Sequence, residues 1–230
     1  MIENETDDDH GGQLEDAVRR YGISKNQWID LSTGINPVGW PVPAIPANCF
    51  RRLPDESDSF TNVIQHYYGS DSYLTGAGSQ AFIQMLPVCW SQSHAPTARV
   101  GVLSLSYCEH RLAWLRHGHE IVLVDEDEVE TALPELDVLI LVNPNNPTGK
   151  LFSKSSIRRW LRLLQNKAGW LIVDEAFMDS TPDLSVAGDE SIVGQDGFIL
   201  LRSIGKFFGL AGIRWGLMMA DKQVLSAMTS

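Results

Sequence analysis

Apolar residues in this chain fall into short unbroken runs, separated by stretches with helical spacing. The run Val138-Leu139-Ile140-Leu141-Val142 has no polar position, the pattern of a strand covered on both faces. Residues 170–173 form a second such run, closed by Asp174, and residues 198–201 a third. Arg99–Leu103 and Glu120–Val124 read as further short strands, and residues 215–220 as another apolar run. Between them, Cys108–Arg116 reads as a helix, and another begins at Ser153 and extends to about 167. Upstream, a helix is expected over Asp58–Tyr68, stopped by Gly69. Thr75-Gly76-Ala77-Gly78-Ser79-Gln80 opens another, which runs through Phe82, Ile83 and Leu86 towards Trp90. Such alternation predicts an α/β three-layer sandwich with a mostly parallel central sheet, whose ligands bind at the carboxyl ends of the strands.

The first fifty residues do not share this alternation. A short amphipathic helix is expected over Leu14–Tyr21, and four prolines between Pro37 and Pro46 favour extended chain. The segment is too apolar for a plain linker, so residues 1–50 read as an N-terminal arm packed along a neighbouring surface. Residues 51–220 would be the main domain.

Composition narrows the classes. Of 230 residues, 43% are hydrophobic, ordinary for a chain that buries a core. The net charge of -11 argues against nucleic acid, whose binding rests on Lys and Arg. No apolar run approaches the roughly 20 residues of a membrane span. The N-terminus lacks the basic start and apolar core of a signal peptide, so a cytoplasmic protein is expected. Cys49, Cys89 and Cys108 form no CxxC pair, and His117 and His119 lack a third ligand, so no metal is expected.

Four places carry candidate chemistry. Small residues before the helix that opens at Ser79 and Gln80 suit a phosphate, although Ser79 would equally serve as a plain helix cap. Asn143-Pro144-Asn145-Asn146-Pro147-Thr148-Gly149 follows a strand and would hold the Asn146 amide rigidly. Asp174 ends an apolar strand; if buried it needs a partner, such as a protonated heterocyclic nitrogen. Ser203-Ile204-Gly205-Lys206 begins a glycine-rich turn that ends at Arg214, eight residues after the lysine. Desolvation or neighbouring cations could keep Lys206 partly neutral and able to form a Schiff base; taken alone, it reads as a surface lysine in a turn. Tyr107, after Ser104-Leu105-Ser106, could stack on an aromatic ring or belong to the core.

Together, the 143–149 string, Asp174-Glu175-Ala176-Phe177 and Ser203-x-x-Lys206 with Arg214 resemble the fold-type I pyridoxal-phosphate enzymes of the class I/II aminotransferase group. With His10-Gly11-Gly12, Asp30 to Pro37 and the Gly205 to Gly212 stretch, the resemblance extends to the threonine-phosphate decarboxylases, sister enzymes of the histidinol-phosphate aminotransferases. The resemblance implies pyridoxal 5'-phosphate anchored on Lys206. It pairs Asp174 with the ring nitrogen, puts Asn146 on the 3-oxygen and stacks Tyr107 on the ring. Ser79, Gln80, Ser203 and Arg214 would hold the phosphate, the first two largely through backbone N–H groups. His10, Gly34 and Asn36 would line the substrate side. The implied reaction is decarboxylation of L-threonine O-3-phosphate, a small phosphorylated amino acid, in a homodimer; transamination, or cofactor binding without turnover, are the alternatives. Phe177 stands where many relatives have tyrosine, Leu53 where aminotransferases often have one, and His110 at a commonly aromatic position. The resemblance also implies a further C-terminal lobe, with residues 221–230 beginning the helix that leads to it.

Overall fold

The structure is a computed structural model that describes residues 11–53 and 55–229. Its centre is a seven-stranded sheet: β1 (Tyr73–Gly76), β2 (Arg99–Leu103), β3 (Glu120–Val124), β4 (Val138–Val142), β5 (Trp170–Asp174), β6 (Phe198–Ser203) and β7 (Gly216–Ala220). Their spatial order is β1-β7-β6-β5-β4-β2-β3. The pairs from β3 to β6 are parallel, and β7 runs antiparallel to both β1 and β6.

The unbroken apolar runs are explained by what covers them. Alternate residues of β4, β5 and β6 face opposite ways. Leu139, Leu141, Leu171, Val173, Phe198 and Leu200 pack with Ile157, Trp160, Leu161 and Leu164 of α6 (Lys154–Gln165), and with Ile64 and Tyr68 of α2 (Asp58–Tyr68). Ile140, Ile172, Ile199 and Leu201 pack the other way, against Phe82, Ile83 and Leu86 of α3 (Ser79–Ser93) and Ala113 and Trp114 of α4 (Cys108–Arg116). The result is three layers, as the alternation predicts. Local signals set the helix ends: Ser153 caps α6 by accepting from the Ser156 N–H at 3.1 Å, and left-handed Gly69 closes α2.

Two elements escape the sequence pattern. β1 is only four residues long, and its partner β7 lies far along the chain. A short α5 (Val129–Ala132) precedes β4. α7 (Lys222–Thr229) follows β7, where the resemblance implies that a helix begins. In the arm, α1 (Leu14–Tyr21) forms as expected and has no buried residue. Further on, the arm docks against the turn after β6: the Asn36 N–H donates to the Lys206 carbonyl at 2.9 Å, and the Trp40 N–H to the Phe208 carbonyl at 2.8 Å.

Strand order places the candidate site. The chain runs outward from β2 to β3, returns to β4 beside β2, then continues the other way through β5 and β6. The loops after β2 and β4 therefore flank the crevice at this reversal, where doubly wound sheets bind ligands. Tyr107 lies on one of these loops and Asn146 on the other.

Candidate functional site

Asp174 is the last residue of β5 and is buried. Its Oδ1 accepts from the Ala176 N–H at 3.0 Å, and its Oδ2 from His110 Nε2 on α4, also at 3.0 Å. The residue is thus a held carboxylate, not a solvated strand end. A carboxylate has about four acceptor positions, so some remain for a ligand. Sequence reasoning noted His110 only as a substitution and missed its partner. A signal existed: His110, Ala113 and Trp114 share the buried face of α4, where a polar side chain needs a partner.

β6 ends at Ser203, and the next residues form a tight turn in which the Ser203 hydroxyl accepts from the Gly205 N–H at 3.2 Å. Lys206 projects from this turn, half-buried, with its Nζ 5.5 Å from the centre of the Phe177 ring. Burial lowers its proton affinity, Asp174 opposes that shift, and Arg214 adds to it. The net shift is downward, the direction an amine nucleophile needs.

Beside Lys206 lies a cavity of about 100 Å³, lined by Gly78, Ser79, Gln80, Tyr107, Ser203 and Arg214 among others. At about 30 Å³ per water, it could hold three waters or one phosphate group. The α3 N-terminus points into it with Gly78, not Ser79, at the cap position and no side-chain cap. Gly78 has φ +78° and ψ 165°, and a Cβ there would lie 3.0 Å from Arg214 Nη2. The missing side chain thus lets the guanidinium lie against the helix start. Arg214 is itself left-handed, with φ 56°. Such a backbone costs about 1–3 kcal/mol in a residue with a side chain. A helix N-terminus, a guanidinium and a lysine converge here, and among the described residues no Asp or Glu lines the cavity. This donor set fits the phosphate of pyridoxal phosphate.

The other nominated residues are distributed as follows. Gln80 donates from Nε2 to Glu109 Oε2 at 2.5 Å and accepts from the Tyr107 hydroxyl at 3.5 Å, so its side chain is engaged; its backbone N–H belongs to the first turn of α3, where such groups lack intrahelical partners. Tyr107 sits edge-on to His110 at 6.3 Å, and burial with the nearby Glu109 and Asp174 charges pushes its hydroxyl up to about 12. Asn146, Gly34, Asn36, Phe177 and Lys206 line a wider cleft of about 430 Å³ on the other side of the lysine. A Cβ on Gly34 would come within 2.6 Å of Phe177, so the arm lies flush on that ring. Asn36 spends its amide on the arm's own docking, donating to the Phe207 carbonyl and accepting from the Val38 N–H. The neighbouring Asn145 is buried and holds the loops together through Leu105, Ser106 and Thr148. His10 lies outside the described residues. Of the paired histidines, His119 is buried and bonds to the Ala98 N–H and the Pro87 carbonyl, while His117 bonds to the Ala113 carbonyl.

The chain is 47% identical over 220 residues to a threonine-phosphate decarboxylase of Pseudomonas aeruginosa, and 39% identical over 223 residues to one of a Sinorhizobium species. These matches cover 96% and 95% of this chain, and it spans 64% of the length of each relative. Among solved structures, histidinol-phosphate aminotransferase from Sinorhizobium meliloti in complex with pyridoxal-5'-phosphate matches with a TM-score of 0.66 and 21% identity. That likeness covers 80% of this chain and 51% of the other, and it shows the shared fold. Residues 48–230 match the aminotransferase class I and II family. The chain belongs to that family.

Proposed function

We propose that this chain binds pyridoxal phosphate at Lys206 and decarboxylates L-threonine O-3-phosphate, giving (R)-1-aminopropan-2-ol O-2-phosphate. The observation that carries the reading is the carboxylate-free cradle beside Lys206, which opens across the lysine to a larger cleft. An acidic chain has little reason to gather cations there unless a dianion neutralises them. The names of the two relatives above support the choice of substrate.

Each residue has a physical task in this reading. Ser79 and Gln80 offer N–H groups, Ser203 a hydroxyl and Arg214 a guanidinium to the cofactor's phosphate. Asp174, fixed by His110 and the Ala176 N–H, keeps the ring nitrogen protonated. Asn146 bonds the 3-oxygen, and Phe177 has no hydroxyl with which to assist it. Tyr107 covers one face of the ring. When bound, pyridoxal phosphate supplies an electron-accepting ring that takes up the electron pair left as carbon dioxide departs. Lys206 would hold the cofactor until the substrate amine takes its place, and its amine, having taken the proton that the substrate's ammonium group gives up, would return a proton to Cα. Gly34 and Asn36, with His10, belong to the substrate side, Asn36 by holding the arm against the lysine turn.

A cytoplasmic homodimer is part of the same reading. Leu31 and Trp40 of the arm are 87% and 63% exposed, and Leu53 just after it is 89% exposed, an apolar surface suited to a second copy. Sedimentation of the purified chain should give twice the chain mass, and a monomer at micromolar concentration would count against the dimer.

The enzymatic reading is tested in two steps. Pyridoxal phosphate added to the protein should give a visible absorbance band, and borohydride should fix its mass on the Lys206 peptide; Lys206→Ala should abolish both. Threonine phosphate without any keto acid should then release carbon dioxide. Glutamate-dependent turnover without such release would mean an aminotransferase instead, and a band without either would mean binding alone. Absence of the band in folded protein would sink the reading.

A further inference from the structure

Immediately beside Asp174 and the lysine turn, on the opposite face of the sheet, lies a second group of charges. The Glu175 N–H donates to the Leu201 carbonyl at 2.9 Å, continuing the β5–β6 ladder one step past Asp174. Beyond this point the strands part, one towards Phe177 and the other into the Lys206 turn. Arg202 bridges the gap: its Nη1 donates to Glu175 Oε2 at 2.7 Å and its Nη2 to Asp179 Oδ1. Glu175 also accepts from the Ser185 hydroxyl and, at 2.9 Å, from the Val186 N–H. The guanidinium lies 5.1 Å from the centre of the Tyr68 ring and is 2% exposed. Burial favours a proton on Glu175, whereas the two carboxylates hold Arg202 charged. The three groups hydrogen-bonded to Glu175, from Ser185, Val186 and Arg202, are all donors.

Stability does not account for this arrangement. Two carboxylates and one guanidinium are costly to desolvate, and well-packed apolar replacements often serve a fold as well or better. Place does account for it. Arg202 and Glu175 sit one residue outside the ladder positions that carry Asp174 and lead to Lys206. From Asp179 the contacts continue: the Tyr67 hydroxyl donates to Asp179 Oδ1 at 3.0 Å. The Tyr67 ring lies 6.5 Å from that of Phe208 in the lysine turn, and Phe208 lies 6.1 Å from Trp40 of the arm. The cluster thus grips the lysine turn at its root through Arg202 and at its far side through Tyr67.

We propose that Arg202, with Glu175, Asp179 and Tyr67, forms a positioning cluster that fixes the lysine turn, and hence Lys206 Nζ, relative to Asp174. This rests on the reading of Lys206 as the cofactor anchor. Among the described residues, the charged and titratable groups facing Lys206 are Asp174 from β5, Arg214 from the end of its own turn and Tyr107 across the cradle. A displaced turn changes those separations and therefore the protonation of a cofactor-bearing Lys206.

The test uses the whole chain with pyridoxal phosphate added. Wild type must first show the band that Lys206→Ala abolishes; its absence would defeat the cofactor reading and not the cluster specifically. Arg202→Lys and Tyr67→Phe are then compared with wild type in affinity for pyridoxal phosphate, in the pH midpoint of the band and in thermal stability without cofactor. The expected result is a midpoint shift of about half a pH unit or more, with affinity weakened roughly threefold or more. Tyr67 is half exposed, so Tyr67→Phe loses one hydroxyl and keeps its packing; it decides the matter alone if Arg202→Lys does not fold. A shift in either folded variant upholds the proposal. Wild-type midpoint and affinity in every folded variant would overturn it, however much thermal stability was lost.

Discussion

Replacing Gly78 by alanine tests the cradle at its narrowest point. Two costs can be read from the structure, and they separate experimentally. With φ +78° and ψ 165°, Gly78 occupies a region essentially closed to other residues, and alanine there costs about 1–3 kcal/mol of stability. The new Cβ would also lie 3.0 Å from Arg214 Nη2 and 3.3 Å from Cζ. Carbon contacts are comfortable at about 3.5–4.0 Å, so the guanidinium must retreat by roughly half an ångström or more. Losing a hydrogen bond to a charged group costs about 1.5–3 kcal/mol, which corresponds to roughly 10- to 150-fold in affinity. Urea denaturation without ligand reads the first cost, and titration with pyridoxal phosphate, followed by absorbance, reads the second. Gly118→Ala is the control: Gly118 also has positive φ, +81°, but a Cβ there would meet nothing. It should lose stability and keep its affinity. If Gly78→Ala bound pyridoxal phosphate within about twofold of wild type, or if Gly118→Ala lost as much affinity, the phosphate assignment of this cradle would be wrong.

Two further outcomes concern histidines. His110→Phe leaves Asp174 Oδ2 buried without its ring partner and should lower stability, measured in urea without ligand, by about 1.5–3 kcal/mol. His110→Gln, which can still donate, should lose less; equal losses would mean that packing, not the hydrogen bond, is what His110 supplies. Burial lowers the proton affinity of His119 in the folded chain, so its contribution is fully present above the unfolded value near ~6.5 and declines as pH falls through that value towards the folded one. Stability measured from about pH 7.5 to 5.5 should therefore fall more steeply in wild type than in His119→Gln, with His94, also lowered by burial, leaving some slope in the variant. Parallel curves would rule out His119 as the source.

What could be read from the sequence, and what could not, divides along a physical line. β4, β5 and β6 announced themselves because both faces of the sheet are covered there, which leaves no polar position in 138–142, 170–173 or 198–201. β1 gave no such signal: it is four residues long, half-buried throughout, and is a strand only because β7 lies alongside it. The arm's extended course could be read from its prolines, but its docking on the lysine turn could not, since that rests on backbone bonds from Asn36 and Trp40 to residues about 170 positions away.

The site divides in the same way. Lys206, Asp174, Asn146 and Arg214 could be nominated because each stands in a local string whose glycines, prolines or strand end mark it out. His110 and Arg202 could not, yet each left a trace. His110 sits on the buried face of a helix, and Arg202 continues an apolar strand, positions where a polar side chain implies a buried partner. The sequence cannot name that partner, because sheet register supplies it. Asp174 and Glu175 are adjacent, but strand alternation sends them to opposite faces. One meets His110 beneath α4; the other meets Arg202, because Asp174 lies opposite Leu201 in the ladder and Arg202 is the next residue along. A shift of one residue in that register would exchange the faces and dismantle both pairs. The acidic dipeptide at the end of β5 therefore does two tasks from one register: Asp174 bonds His110 on the α4 side of the sheet, and Glu175 holds the strand that carries the lysine.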